Sequence, residues 1–141
     1  MITYMQGTDG IDWDSLMALY CATDGVIGLA RAGEVAKVKR AFLRSFRVVT
    51  AWEGDRIVGA GRMISDGECY GWIHDMAVLP DLQQQGIGRG VVEALLDGNE
   101  HLLIGLTSSF DAVAFYRKLG FRKHKTAHAK YPGSSTYLED E

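Results

Sequence analysis

Between residues 12 and 46 the apolar positions recur at helical spacing, whereas between 47 and 79 they alternate or run together as strands do. Leu16, Leu19 and Tyr20 predict a helix over Asp12–Ala22, with Asp12 or Asp14 placed to cap it. A second helix is predicted over Arg31–Phe46, where Val35, Val38, Phe42 and Phe46 form an apolar stripe and Lys37, Lys39, Arg40 and Arg44 lie largely off it. Arg47–Glu53 and Arg56–Ser65 flank the turn Gly54-Asp55 and read as a hairpin. Cys69–Leu79 reads as a long strand that stops at Pro80-Asp81. A helix over Gly88–Asn99, a strand over His101–Leu106 and a helix over Asp111–Leu119 ended by Gly120 follow, and Phe121 onward and Ser135–Leu138 read as terminal strands. Two helices, a meander and then β-α-β-α-β predict an α/β (α+β) fold, a mixed sheet with helices on its faces.

Composition narrows the class. With 141 residues, 47% hydrophobic and 23% charged, the chain is expected to form a single domain over 1–141 with a substantial core. No apolar stretch approaches the roughly 20 residues needed to cross a bilayer. The start MITYMQGTDG lacks the basic flank and apolar run of a secretory signal, so a cytoplasmic setting without a membrane partner is expected. Cys21 and Cys69 are too few for a disulfide framework and read as small buried hydrophobes. A net charge of −3 argues against nucleic acid as a partner. The basic residues between Arg117 and Lys130 read either as a solvated face or as a patch facing an anion. His124 and His128 would meet only on a helix, which this region does not predict, so no metal site is expected. Trp13, Trp52 and Trp72 read as core residues rather than as an aromatic pocket.

The most informative stretch runs from Asp75 to Gly90, where a strand ends and a Gly-spaced turn opens directly into a helix. The first N–H groups of that helix lack intrahelical partners and point outward, which suits a phosphate. Gly86, Gly88 and Gly90 let a ligand approach the main chain, and Arg89 adds a full positive charge. The dinucleotide fingerprint would need glycine where Val91 stands, and the Gly-Lys-Ser/Thr of a Walker loop is absent.

Gln83-x-x-Gly86-x-Gly88, preceded by an Ala-Val-Leu-Pro strand end, resembles the acetyl-coenzyme A loop of the GNAT family of N-acetyltransferases, whose pattern is Gln/Arg-x-x-Gly-x-Gly/Ala. Phe115-Tyr-Arg-Lys-Leu-Gly-Phe121 is similar to that family's later segment F-Y-x-K-x-G-F. The two occur in the family's order with a helix and a strand between them, and the resemblance extends over essentially the whole chain.

The resemblance implies an acetyl-CoA cosubstrate. It would pair its pantetheine arm with the main chain of Met76, Ala77 and Val78, in a gap where the sheet splays. Its pyrophosphate would sit on Gln84–Arg89, within the stretch Gln83, Gln84, Gln85, Gly86, Ile87, Gly88, Arg89 and Gly90. Ser109, Phe115 and Tyr116 would contribute downstream, Ser109 standing where many members carry Asn. Tyr116 matches the tyrosine that protonates the departing thiolate, and a phenol of pKa about 10 holds its proton at pH 7. Transfer also needs a donor for the developing oxyanion, a backbone N–H at Met76 or Val78, and a base for the amine. Asp75, His74, Glu68 and a water chain are the candidates for the base. As neighbours in a strand, His74 and Asp75 are expected to point to opposite faces. The implied function is acetyl transfer from acetyl-CoA to a primary amine of a small molecule or a protein. Direct attack in a ternary complex is expected, since neither motif carries a cysteine. A noncatalytic acyl-CoA-binding regulatory module is the alternative. The N-terminal helices and the segment after Phe121 are expected to form the acceptor pocket, and homodimers are common among such proteins.

Overall fold

The computed structural model describes residues 1–23, 26–31 and 33–140, which form two compact units, Met1–Thr107 and Ser108–Glu141. The first is built on a mixed sheet of β1 (Ile2–Gln6), β4 (Arg47–Glu53), β5 (Arg56–Ser65), β6 (Tyr70–Val78) and β7 (Leu103–Leu106), in that spatial order. All neighbours are antiparallel except β6 and β7, which are parallel. β2 (Val26–Ile27) and β3 (Ala30–Arg31) form a separate short ladder.

Helices α1 (Trp13–Thr23) and α2 (Val35–Leu43) cover one face. Asp12 Oδ1 accepts the Ser15 N–H at 3.1 Å, which caps α1 as its sequence predicts. Leu16, Leu19 and Tyr20 of α1 and Val38 and Phe42 of α2 are buried against Val48, Ile57 and Ala60. Trp13 meets Phe42 edge-on and Trp52 packs against the same cluster, whereas Trp72 is exposed. Helix α3 (Ile87–Leu96) lies on the other face, burying Ile87, Val91, Val92 and Leu95. Its last carbonyls are satisfied by a side chain from β4, since Arg47 Nη1 donates to Ala94 at 3.1 Å, to Leu95 at 3.3 Å and to Asp97.

In the second unit a 3₁₀ turn, Phe110–Ala112, leads into α4 (Val113–Lys118). Gly120, at φ 95°, ends this helix: its N–H reaches Arg117 C=O at 3.1 Å and the Phe121 N–H reaches Tyr116 C=O at 3.0 Å. That pair of bonds is the Schellman stop, and the Phe121 ring packs edge-on against Tyr116 at 5.8 Å, the apolar contact that accompanies it.

Several expectations change. The edge strand β1 was hidden because four of its five residues are exposed and present no apolar face. The second helix is shorter than its stripe. At one end residues 30–31 pair in β3, and at the other the Phe46 N–H joins the sheet at Met63 C=O, so Val35 and Phe46 stay exposed. No strand forms among described residues after Phe121; residues 122–130 are all exposed and carry basic side chains with no alternating apolar face to bury. Both cysteines are exposed, Cys21 lying off the buried stripe of α1 and Cys69 in the turn before β6. No described helix is long and apolar enough to cross a membrane.

Candidate active site

Strand β6 outruns its parallel neighbour. Pairing with β7 runs from Tyr70↔Leu103 to Ile73↔Leu106 and stops, while β6 continues to Val78 against β5 alone. Beyond Ile73 no described strand pairs with this edge of β6, which is where the resemblance expects the sheet to splay. The Leu79 N–H bonds to Val58 C=O at 2.9 Å, and the register sets Ala77 opposite Ala60 and Val78 opposite Gly59. By the alternation of an antiparallel ladder, Ala77 bonds to β5 while the main-chain N–H and C=O of Val78 point to the opposite edge. The Gln83 side-chain amide donates to Val78 C=O at 3.2 Å, tying the glycine loop to the strand end.

The same strand is bent by an extra residue. Arg62 faces His74 and Ala60 faces Ala77, so Asp75 and Met76 together oppose Gly61, and Asp75 adopts a left-handed φ of 60°. The Met76 side chain turns to the α3 face, where it lies over Gly61. The bulge overturns the expectation that His74 and Asp75 point to opposite faces. His74 is the cross-strand partner of Arg62, and Asp75 Oδ2 accepts from Arg62 Nε at 2.7 Å, so both lie on the face covered by α1 and α2. His74 is half-buried, and burial foremost, then the Arg62 charge, lowers its pKa against the opposing pull of Asp75. Glu68 is exposed in the turn before β6, at the opposite end of the strand from the gap.

The glycine loop presents donors. Helix α3 starts at Ile87 with Gly86 as its N-cap at φ 84°, no side chain caps it, and a Cβ at Gly86 would meet open space. The first intrahelical bond is donated by Gly90, to Gly86 C=O at 3.0 Å, which leaves the N–H groups of Ile87, Gly88 and Arg89 without helical partners. Gln84 is left-handed at φ 65°, and Gln84 and Gln85 are exposed. Arg89 pairs with Glu93 at 2.6 Å on the surface. Gly90 serves packing instead: a Cβ there would come within 2.3 Å of Tyr4. An uncapped helix start, an open glycine and an unpaired strand edge fit a ligand that carries both a diphosphate and amide groups.

In the second unit Tyr116 is buried between Phe115 and Phe121, and burial pushes its phenol up to about 12. The Ser109 hydroxyl donates to Asp111 Oδ1 at 2.7 Å. Sequence reasoning missed Arg62. Its signal was an arginine in the middle of the apolar strand RIVGAGRMIS, beyond the one that opens it, and one aspartate inside WIHDMAVL, opposite charges that pair when the strands do.

The family profile described as an Acetyltransferase (GNAT) domain matches residues 44–123, and the chain belongs to that family. It is 37% identical over 71 residues to the ycf52 protein of Porphyra purpurea, described as an uncharacterized N-acetyltransferase, covering 48% of this chain and 41% of that protein. The ycf52 protein of Pyropia yezoensis, described likewise, is 32% identical over 94 residues, covering 62% and 54%. The chain thus spans about half the length of these curated relatives. Its fold is that of the GNAT family protein SP0256 from Streptococcus pneumoniae TIGR4, with a TM-score of 0.78 at 24% identity, over 96% of this chain and 100% of that one.

Proposed function

We propose that this chain transfers an acetyl group from acetyl-CoA to a primary amine, by direct attack within a ternary complex. The observation that carries the reading is the edge of β6 beyond Ile73, which β7 leaves without a strand partner, beside the open helix start at Gly86. On this reading the pantetheine amides extend the sheet along Met76–Val78 and the diphosphate rests on the N–H groups from Gln84 to Arg89. When bound, the thioester supplies an activated acetyl carbon and a thiolate leaving group. The Val78 or Met76 N–H donates to the carbonyl oxygen as negative charge develops there. His74, kept neutral at pH 7 by its lowered pKa, takes the proton of the attacking amine. The Asp75 carboxylate is occupied by Arg62. Tyr116, assigned by its motif, keeps its proton at neutral pH and gives it to the thiolate. The acceptor approaches from the end of the His74 face that α1 and α2 leave open, where Trp72 and Tyr70 are exposed.

The test is a panel of amines, including small amines, polyamines, amino sugars, amino acids and peptide N-termini, assayed by release of the CoA thiol. Turnover of at least one amine, abolished by Tyr116→Phe with acetyl-CoA affinity retained, supports the enzyme. Saturable acetyl-CoA binding with no turnover of any amine supports the regulatory alternative.

A further inference from the structure

The Arg62 and Asp75 side chains are only 13% and 6% exposed, joined at 2.7 Å. Burying two charges is expensive, and removing one partner strands the other. This pair sits where β6 departs from regular strand geometry, and Asp75 is held at φ 60°, a conformation in which a Cβ crowds the backbone and which residues other than glycine seldom adopt. Three elements converge on it. From α1, the Tyr20 hydroxyl donates to Asp75 C=O at 2.5 Å. From α2, Ser45, just past its end, accepts from Arg62 Nη1 at 3.3 Å and donates to Ala41 C=O at 2.9 Å, while the Arg62 guanidinium lies over the Phe42 ring at 5.7 Å. From β5, Arg62 itself reaches across to the bulge. The next residues along β6 are Met76, Ala77 and Val78, whose alternating main-chain direction depends on how the bulge is set.

We propose that Arg62 and Asp75 are positioning residues whose ion pair holds the left-handed turn of β6, and thereby aims the Met76 and Val78 N–H groups into the gap beside β7. The pair acts on backbone geometry, so the Asp75 carboxylate takes no proton from the acceptor. The role in transfer rests on the reading of β6 as the acyl-donor edge; the clamp on the backbone does not. Glycine adopts φ 60° freely. A chain with glycine at 75 therefore needs no clamp, and without Asp75 the arginine has no charge to meet.

The experiment compares Arg62→Met, Arg62→Lys and the double variant Arg62→Met/Asp75→Gly with the unaltered chain. Acetyl-CoA affinity is read by calorimetry, kcat and KM by thiol release, and backbone opening by amide exchange at Ala77. Arg62→Met alone is expected to weaken acetyl-CoA binding and raise its KM about tenfold or more, with faster Ala77 exchange, and Arg62→Lys to lie between it and the unaltered chain. The double variant is expected to return affinity, exchange and kcat to within roughly fivefold of the starting values, because glycine holds the turn unaided. A double variant that binds acetyl-CoA normally but loses about a hundredfold or more in kcat overturns the proposal, since a side chain of the pair then acts in the chemistry. Unchanged affinity and exchange in Arg62→Met overturns it as well. If Arg62→Met does not fold, the double variant alone decides. If the unaltered chain binds no acetyl-CoA, the functional reading fails, and Ala77 exchange still decides whether the pair holds the turn.

Discussion

The Tyr4 ring lies on Gly90: a Cβ placed on that glycine would stand 2.3 Å from the tyrosine's Cζ and hydroxyl oxygen. An edge strand with little burial of its own is thereby seated on the first turn of α3. Gly90→Ala is expected to destabilise the protein by about 1–3 kcal/mol through overpacking. Tyr4→Ala in the same chain should recover part of that loss. Urea unfolding of the two single variants and the double, read as a cycle, checks the coupling.

Gly86 differs from Gly90 in kind. It has open space around it and a φ of 84°, so a side chain there meets backbone strain rather than a clash. Gly86→Val should cost about 1–2 kcal/mol of stability and block the approach to the N–H groups of Ile87 and Gly88. Calorimetry with acetyl-CoA should show affinity falling at least about tenfold, more than Gly86→Asn produces, since asparagine tolerates left-handed geometry.

His74 gives the protein an acid limb. Its pKa is lowered from 6.5, first by burial and then by Arg62, so the folded chain binds this proton less well than the unfolded chain. Stability is therefore full above 6.5 and declines as pH falls through 6.5 toward the depressed folded value. With His74 as the base of the proposed mechanism, activity should fall in the acid range below the ordinary histidine pKa. In His74→Gln both the limb in kcat/KM and this part of the acid destabilisation should vanish, as pH-rate profiles and urea midpoints between pH 5 and 8 will show.

Tyr116 carries the opposite signature. Its phenol is raised from 10.0 to about 12 by burial, so above pH 10 the unfolded chain releases a proton that the folded chain keeps. Stability contributed by this group is present below pH 10 and is lost as pH rises through about 12. Tyr116→Phe should remove that alkaline sensitivity and lower kcat by about 10²–10⁴-fold with acetyl-CoA affinity unchanged, the range for loss of a proton donor. Alkaline unfolding and steady-state kinetics of the one variant test both halves.

The order of helices and strands was legible because their apolar periods differ, and the glycine loop was legible because a strand end, a turn and a helix start lie together in sequence. The F-Y-x-K-x-G-F segment was legible for a reason visible in its geometry: Gly120 takes the left-handed stop position, and Phe121 packs back on Tyr116. What escaped was set by pairing between distant segments. The bulge at Asp75 is a property of the register between β5 and β6, and strict alternation, applied to β6 alone, sends its side chain to the wrong face. Gly90 read as an approach for a ligand because its neighbour Tyr4 comes from an edge strand without an apolar pattern. The stretch of β6 that β7 leaves without a partner was not legible either, since it depends on where β7 stops pairing.

The central claim is that the open edge of β6 and the glycine loop together hold acetyl-CoA. Its most direct test is a calorimetric titration of the full chain with acetyl-CoA, repeated on Gly86→Val. Saturable binding at one site per chain, weakened by the substitution while the fold is retained, is the predicted result. No heat of binding, or the same affinity in both proteins, would contradict the account.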